Sequence, residues 1–415
     1  MKKRAFLKTV GLASMHLPLL RLNPPQWVTQ PAKNERFWEQ VRKDYFLKPD
    51  YINLESGYYN IIPQPTLNAL QDHLEKINRE GSFYMRTLQK QNKQKVIDQL
   101  AQVVDCSPTN LILTRNATES LNTVIKGFPW SKGDHIIYAT QEYGAMRQMI
   151  SQVAQEKSLQ TTVISVPKDP KDDQAIVTLY EKAIRPETKL ILVSHMINIT
   201  GQILPIKKIC EMAHLRGVQV LVDGAHCVGH FLFSISSLGC DYYGSSLHKW
   251  LAAPLGCGML YIHSKHQNSL SPLFTENVTL KDTIKRFGHT GTHPVYHDLA
   301  IQNAIDYYQL LQPKRKENRL RYLTQYWTLP LKKHPQIYLE TPSDPNRFCA
   351  IATVGIRTLT PAKLAKLLLE EFKIFTVAID NDAVRGCRIT PNVFTTLQEL
   401  DYLVNALKTL ADRYA

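Results

Sequence analysis

From about residue 35 onward, short β-rich runs alternate with helical stretches, and this alternation constrains the fold more than any other feature of the sequence. Alternation of this kind predicts an α/β architecture, because parallel strands must be joined by crossovers and helices supply them. We expect a mostly parallel seven-stranded sheet with strands at 111–115, 134–139, 161–166, 189–195, 218–223, 241–245 and 257–262. The helices are expected near 117–126, 144–156, 173–184, 205–216 and 297–311.

The last hundred residues change pattern and predict a smaller α+β domain. Its expected elements are a strand at 349–356, a helix at 361–372, strands at 374–379 and 387–390, and a helix at 396–413. Pro313 and the basic run after it indicate a hinge. We therefore divide the chain into a signal-like segment (1–35), a large domain (36–312) whose start is able to pack with the small domain, and a small C-terminal domain (313–415).

Net charge and cysteine usage limit the function classes. Fifty Lys and Arg residues against 36 Asp and Glu residues give a net charge of +14, but the excess is diffuse. Its densest patch, within 314–321, is expected to be a solvated helix face, so no nucleic-acid partner is predicted. No apolar run reaches the roughly 18 residues that a membrane span needs. The seven cysteines are scattered, which predicts neither a metal site nor a disulfide framework.

The first 22 residues combine a charged start with a short apolar stretch, as export signals do. The run Lys3–Lys8 is similar to a twin-arginine signal in which Lys3 replaces the first arginine. We expect export to the periplasm; the alternative is a cytoplasmic enzyme with an untargeted basic N-terminus.

Polar residues follow five of the predicted strands. Because ligands of open α/β sheets bind at the carboxyl ends of strands, these residues are candidates for a site. They are Arg115–Glu119, Gln141–Tyr143, His195–Asn198, Asp223–His226 and Ser246–Trp250.

Three of these strand ends point to one cofactor chemistry. Asn116 and Glu119 can form a capping box at the start of a helix, and Thr118 adds a hydroxyl where free backbone N–H groups favour a phosphate. Lys249 lies among apolar and hydroxyl residues, which lower the pKa of an amine and make it nucleophilic; the alternative is an ordinary surface lysine. A buried carboxylate at Asp223 needs a cationic partner, and a protonated pyridine nitrogen would serve. Pyridoxal phosphate (PLP) requires this combination.

Over residues 50–412, the sequence resembles the class V aminotransferases of PLP-dependent transferase fold type I, and most closely their isopenicillin N epimerase-like subgroup. The matching motifs are Ser246-Leu247-His248-Lys249, Asp223-Gly224-Ala225-His226, Asn116-Ala117-Thr118-Glu119, Gly256-Cys257-Gly258, and Asn198 followed by Thr200-Gly201 and Pro205.

The resemblance implies a role for each motif residue. Lys249 would form the Schiff base and move the α-proton, Asp223 would keep the ring nitrogen protonated, and Tyr143 would stack on the ring. His226 and Asn198 would hydrogen-bond the phenolic oxygen. The phosphate would be held by Thr118, Ser246, His248 and the backbone N–H groups of Ala117 and Thr118, with Asn116 in the same turn. For Tyr143, His226 and Asn198, the alternatives are core packing or turn chemistry.

The family also implies a homodimer with shared active sites, because a Gly-Thr pair of the neighbouring subunit reaches the phosphate; Gly291-Thr292 matches that pair. Arg388 occupies the place of the substrate-carboxylate arginine, against the alternative of a surface ion pair. Gly57 and Tyr58 match a stretch at the substrate entrance. Metal ligands are not implied.

The expected function is that of a PLP-dependent enzyme acting at the Cα of an amino acid or peptide-derived substrate, of aminotransferase or epimerase type. Desulfuration is disfavoured, because no cysteine lies between Cys349 and Cys387. The alternatives are a PLP-dependent C–S or β-elimination lyase and a catalytically silent PLP-fold binding protein. A nucleic-acid-binding module ranks last.

Overall fold

The computed structural model describes residues 33–274 and 283–415. The predicted export signal therefore lies almost wholly outside the described residues and stays a prediction. The helices are α1 (Glu35–Arg42), α2 (Gln64–Glu80), α3 (Ser82–Thr87), α4 (Gln89–Val104), α5 (Ala117–Gly127), α6 (Gly144–Lys157), α7 (Asp173–Ala183), α8 (Ile206–His214), α9 (Ile235–Leu238), α10 (Val295–Leu310), α11 (Pro313–Thr328), α12 (Pro361–Phe372) and α13 (Leu397–Arg413). The strands are β1 (Ile52–Asn53), β2 (Leu111–Thr114), β3 (His135–Ala139), β4 (Gln160–Ile164), β5 (Thr188–Ser194), β6 (Gln219–Asp223), β7 (Tyr242–Ser246), β8 (Gly258–Ile262), β9 (Ile337–Leu339), β10 (Ala352–Ile356), β11 (Ile374–Phe375), β12 (Val377–Asp380) and β13 (Arg385–Ile389).

A seven-stranded sheet forms the centre of the larger part of the molecule. Its strand order is β2-β8-β7-β6-β5-β3-β4, and only β8 runs antiparallel to its neighbours. The predicted mostly parallel sheet is thus confirmed, with every strand inside two residues of its predicted bounds. The inner strands are buried on both faces, as helix-covered parallel strands are, whereas β4 at the edge is partly exposed. The carboxyl ends of β5, β6 and β7 consequently meet at one edge of the sheet.

A four-stranded antiparallel sheet, ordered β12-β13-β10-β9, dominates the C-terminal part. The prediction of one strand over 374–379 is wrong: β11 pairs in parallel with β1, while β12 pairs with β13 in the other sheet. The chain therefore changes sheets at Thr376, which a local β-rich pattern does not reveal. Strand β9 and the helices α1 to α4 were not predicted. The domain boundaries stay a prediction.

Helix α11 corrects the interpretation of the basic run. Pro313, which was predicted to mark a hinge, is the first residue of this helix, where its missing N–H costs nothing. The run is helical, as expected, but it is not a solvated face, because Arg315, Lys316 and Arg319 are buried. Arg319 pairs with Glu35 of α1, and Lys316 donates a hydrogen bond to the backbone oxygen of Trp250. Arg319 and Lys316 thus contact segments that are distant in the sequence.

Among the described residues, no helix is long and apolar enough to cross a membrane.

Candidate active site

A cleft of about 340 Å³ opens at the carboxyl ends of the central strands. Thirteen of the fourteen predicted site residues line it: Gly57, Tyr58, Asn116, Ala117, Thr118, Tyr143, Asn198, Asp223, His226, Ser246, His248, Lys249 and Arg388. Thr292, predicted to serve the partner's site, is exposed and lies outside this cleft. Residues from both ends of the sequence thus meet in one cavity, and their individual roles stay predictions.

Lys249 follows β7 by three residues and carries the only lysine amine among the residues lining the cleft. Its Nζ lies 3.0 Å from Nε2 of His226. Burial lowers the pKa of Lys249 to about 8, although the negative charge of Asp223 opposes this effect. At pH 7 about a tenth of the amine is therefore neutral, far more than for an ordinary lysine, and only the neutral form is a nucleophile.

Asp223 is the last residue of β6 and points into the same cleft. Its Oδ1 accepts a hydrogen bond of 2.9 Å from the backbone N–H of Ala225. Burial raises the pKa of Asp223, whereas the Ala225 hydrogen bond and the charge of Lys249 lower it. A buried carboxylate in this position suits a ligand that brings its own cationic nitrogen.

The first turn of α5 forms another wall of the cleft. Asn116 Oδ1 accepts from the backbone N–H of Glu119 at 2.8 Å, so the predicted cap is present. The second hydrogen bond of the predicted capping box, from the backbone N–H of Asn116 to Glu119, is not formed. Glu119 Oε2 accepts from the backbone N–H of Arg115 instead. Gly258 of β8 permits this packing: a Cβ there would lie 2.6 Å from Cα of Asn116.

Ser246 joins the end of β7 to this turn. Its Oγ accepts a hydrogen bond of 2.9 Å from the backbone N–H of Ala117. The N–H predicted to hold a phosphate is thus already engaged, while the Ser246 hydroxyl keeps its own proton to donate. Nearby, His248 also lines the cleft. Together with Thr118, these groups suit an anionic ligand group at the helix N-terminus.

Arg388 of β13 is not in a surface ion pair; it forms a buried pair with Glu55. Its Nη2 lies 2.6 Å from Oε1, and its Nε lies 3.3 Å from Oε2. Nη1 donates to the backbone oxygen of Asn198 at 3.1 Å. Gly57 packs on the guanidinium, since a Cβ there would lie 2.9 Å from it. One edge of the guanidinium is therefore fixed by Glu55, and Arg388 still lines the cleft.

Glu55 was not predicted as a site residue. The sequence signal for it is that Glu55 is the one carboxylate in the entrance stretch 53–60.

Three of the strand ends do not deliver all of their polar residues to the cleft: its lining lacks Arg115, Glu119, Gln141, Glu142 and His195. His195 turns to the opposite side of the sheet, where its Nδ1 lies 3.0 Å from the hydroxyl of Tyr243. Gln141 hydrogen-bonds the backbone of Val166. Successive residues of a strand face opposite sides, so Ser194 rather than His195 lines the cleft.

None of the seven cysteines lines the cleft. Cys387, beside Arg388 in sequence, is fully buried, and burial raises its pKa to about 12. Its thiol is therefore neither ionised nor accessible near neutral pH.

The chain is similar to known proteins along most of its length. The chain is 28% identical over 390 residues to an isopenicillin N epimerase of Streptomyces clavuligerus, covering 90% of this chain and 98% of that protein. It is 24% identical over 345 residues to a probable cysteine desulfurase of Methanothermobacter thermautotrophicus, covering 80% and 84% of the two chains.

Solved structures share the fold. The apo cysteine desulfurase of Thermococcus onnurineus superimposes with a TM-score of 0.80 at 20% identity, covering 90% of this chain and 98% of that one. A variant of the enzyme C-DES, with glycine covalently linked to its PLP cofactor, superimposes with a TM-score of 0.77 at 22% identity, covering 88% and 97%. The predicted fold type I architecture is thereby confirmed. The family model for class-V aminotransferases matches residues 60–378, and the chain therefore belongs to the class-V aminotransferase family.

Proposed function

We propose that this protein is a PLP-dependent enzyme that acts at the Cα of an amino acid or a peptide-derived substrate through Lys249. The observation that carries the proposal is the shared cleft, in which a buried lysine amine faces a buried carboxylate and the N-terminal turn of α5. Membership of the class-V family and the PLP-linked structural neighbour support it.

The residues of the cleft fit PLP at both of its ends. Asp223 suits a protonated ring nitrogen, and Thr118, Ser246 and His248 suit a phosphate. When bound, PLP supplies an electrophilic carbon and a ring that stabilises negative charge at Cα. The chain itself supplies the rest: Lys249 Nζ takes and returns a proton, and Arg388 offers a guanidinium edge to a carboxylate.

The proposed reaction is of epimerase or aminotransferase type. The similarity to isopenicillin N epimerases along nearly the whole chain favours this class. Persulfide-forming desulfuration is disfavoured, because no thiol lines the cleft. A C–S lyase that needs no protein thiol is the second candidate, since a hercynylcysteine sulfoxide lyase of Schizosaccharomyces pombe is 20% identical over 285 residues.

The proposed quaternary state is a homodimer with shared sites. Thr292 is exposed and outside its own chain's cleft, and the apolar side chain of Leu255 at the cleft is 52% exposed. Light scattering at increasing dilution tests this state. A monomer that loads cofactor fully would contradict it.

Mass spectrometry after borohydride treatment tests the cofactor and the lysine together. Purified protein is mixed with PLP, reduced and digested, and we expect the cofactor mass on the peptide containing Lys249. Lys249→Ala should abolish that adduct, whereas Lys207→Ala, at an exposed position on α8, should not. An unmodified Lys249 in folded protein would overturn the proposal.

A panel of amino acids then separates the reaction classes. A change in optical rotation at constant total amino-acid concentration indicates racemisation or epimerisation. Conversion of the amino acid to its keto acid, with amination of an added keto-acid acceptor, indicates transamination, and release of pyruvate indicates elimination.

A further inference from the structure

The indole of Trp250 determines which nitrogen of His226 carries the proton. Trp250 Nε1 lies 3.3 Å from Nδ1 of His226, and both side chains are buried. An indole N–H can only donate a hydrogen bond, so Nδ1 must be the nitrogen with the lone pair. Burial holds the pKa of His226 well below its usual range, which keeps the ring neutral. A neutral imidazole carries one proton, and here that proton lies on Nε2.

This assignment determines the direction of the next hydrogen bond. Nε2 of His226 lies 3.0 Å from Nζ of Lys249. Since Nε2–H donates, Nζ must accept with the lone pair of a neutral amine. An ammonium group at Lys249 would place two donors against each other. The hydrogen-bond direction imposed by Trp250 disfavours the ammonium form, so it acts in the same sense as the burial that lowers the pKa of Lys249.

Trp250 is itself held in place by His230. The two rings stack with centroids 3.7 Å apart and an interplanar angle of 17°. Both nitrogens of His230 are engaged: Nε2 accepts from the backbone N–H of Ala350 at 2.9 Å, and Nδ1 donates to the backbone oxygen of His226 at 2.8 Å. The His230 ring thus has one tautomer and one orientation, and it fixes the plane of the indole.

The backbone around Trp250 is equally constrained. Lys316 Nζ donates to the backbone oxygen of Trp250 from the buried side of α11. Gly229 has a φ of 77°, and a Cβ at this position would lie 2.6 Å from Cα of Leu251. Only glycine allows the turn after β6 to approach the Trp250 segment so closely.

We propose that Trp250 is a positioning residue that locks His226 as a hydrogen-bond donor toward Lys249 Nζ. The second part of the inference rests on the proposed function: with PLP present, the same donor would serve the phenolic oxygen that PLP carries next to its carbonyl carbon. The alternative is that Trp250 only fills space in the core. The two roles predict different effects on His226.

Nuclear magnetic resonance on the full chain, labelled with ring-¹⁵N histidine and free of cofactor, tests the lock directly. His226 is assigned by the signals lost in His226→Gln. In the wild type we expect a pyrrole-like Nε2 and a pyridine-like Nδ1 from pH 6 to pH 9. In Trp250→Phe, Nε2 is free to accept a hydrogen bond from a Lys249 ammonium. The Nε2 proton should therefore move to Nδ1 as the pH is lowered. A protonated Nδ1 in the wild type would overturn the proposal.

A matched control separates the lock from core packing. Trp327 is also fully buried, and its Nε1 has no partner within the described chain. Trp327→Phe removes a comparable indole that does not line the cleft, so it should leave both His226 nitrogens unchanged. If both variants change His226 alike, general loosening of the core explains the effect and the proposal fails.

The reactivity of Lys249 supplies a second readout. The pH midpoint for PLP capture should rise by roughly 1 unit in Trp250→Phe, because an ammonium would no longer face a fixed donor. The other groups facing Nζ are unaltered by this substitution: Asp223, Arg388, Glu55, Cys227 and His248.

A double-mutant cycle completes the test. Glutamine at 226 has an amide donor that needs no tautomer lock, so adding Trp250→Phe to His226→Gln should change the midpoint no further. Additive effects would contradict the lock. Failure of PLP to bind at all would overturn the proposed function but leave the tautomer result standing.

Discussion

Glu142 and Ser194 form a closed pair behind the wall of the cleft: Glu142 Oε1 accepts from the backbone N–H of Ser194 at 3.0 Å, and its other oxygen contacts the Ser194 hydroxyl. Burial and the negative charge of Asp223 together raise the pKa of Glu142 to about 8, although the hydrogen bonds from Ser194 oppose this. Near neutral pH, Glu142 is therefore mostly a neutral acid.

A raised carboxyl pKa means that the folded state binds more protons than the unfolded state, so stability falls as pH rises from about 4.5 through about 8. The side chain introduced by Glu142→Gln cannot ionise. The substitution should therefore remove the contribution of Glu142 to the pH dependence of the unfolding free energy, about 1 kcal/mol per pH unit. Urea unfolding at pH 6 and pH 8 measures the difference. Glu156→Gln, at an exposed position on α6, should keep the wild-type slope; an unchanged slope in Glu142→Gln would contradict the argument.

Capture of PLP by Lys249 should depend on pH with a midpoint near 8. The pKa of this amine is lowered, so the neutral and reactive form is depleted below pH 8, by about tenfold per unit well below the midpoint. The initial rate of adduct formation across pH 6 to pH 10 measures it. A midpoint near the ordinary lysine value of 10.5 would show that the amine is not desolvated as described.

Glu55→Ala should destabilise the protein by about 3–5 kcal/mol, because the buried guanidinium of Arg388 loses its counter-charge. Added acetate should restore part of this loss, since a small carboxylate can occupy the space that the truncated side chain leaves. Urea unfolding with and without acetate tests both effects. Glu35→Ala, beside the buried Arg319, serves as the matched control and should not respond to acetate through the cleft.

Asp241 precedes β7, at the end of that strand remote from Lys249. It accepts hydrogen bonds from His266 at 2.7 Å, His214 at 2.8 Å and the backbone N–H of Val220 at 2.8 Å, and Lys265 lies 3.0 Å away. Burial alone would raise its pKa, but these donors hold it well below the usual range.

The stability from Asp241 is therefore present above about pH 3.8 and lost as pH falls below it. Asp241→Asn should cost about 2–4 kcal/mol at pH 7 and less near pH 3. Denaturant titrations at both pH values measure this dependence, with PLP loading as the control that should not change. An equal cost at both pH values would refute the electrostatic origin.

The sequence was sufficient to locate the central sheet and the cleft, for a local reason. Strands buried on both faces are continuous apolar runs, and the polar residues that stop them mark the edge where ligands bind. The burial of α11 could not be read in this way, because Arg319 finds Glu35 across 284 positions. The Glu55–Arg388 pair spans 333 positions, and no local pattern encodes it. Trp250 and His226 are only 24 positions apart, but the sequence does not show the orientation of their rings, which determines which nitrogen of His226 accepts the hydrogen bond.

The pairing of β1 with β11 also determines when the active site can form during synthesis. Ile52 leaves the ribosome early, but its partner Ile374 is made only after more than three hundred further residues. Glu55 likewise has no counter-charge until Arg388 has been translated. The central sheet can assemble before then, since its last strand ends at Ile262. A chain that stopped before residue 374 would thus hold Lys249 and Asp223 but would lack the strand and the arginine that close the cleft.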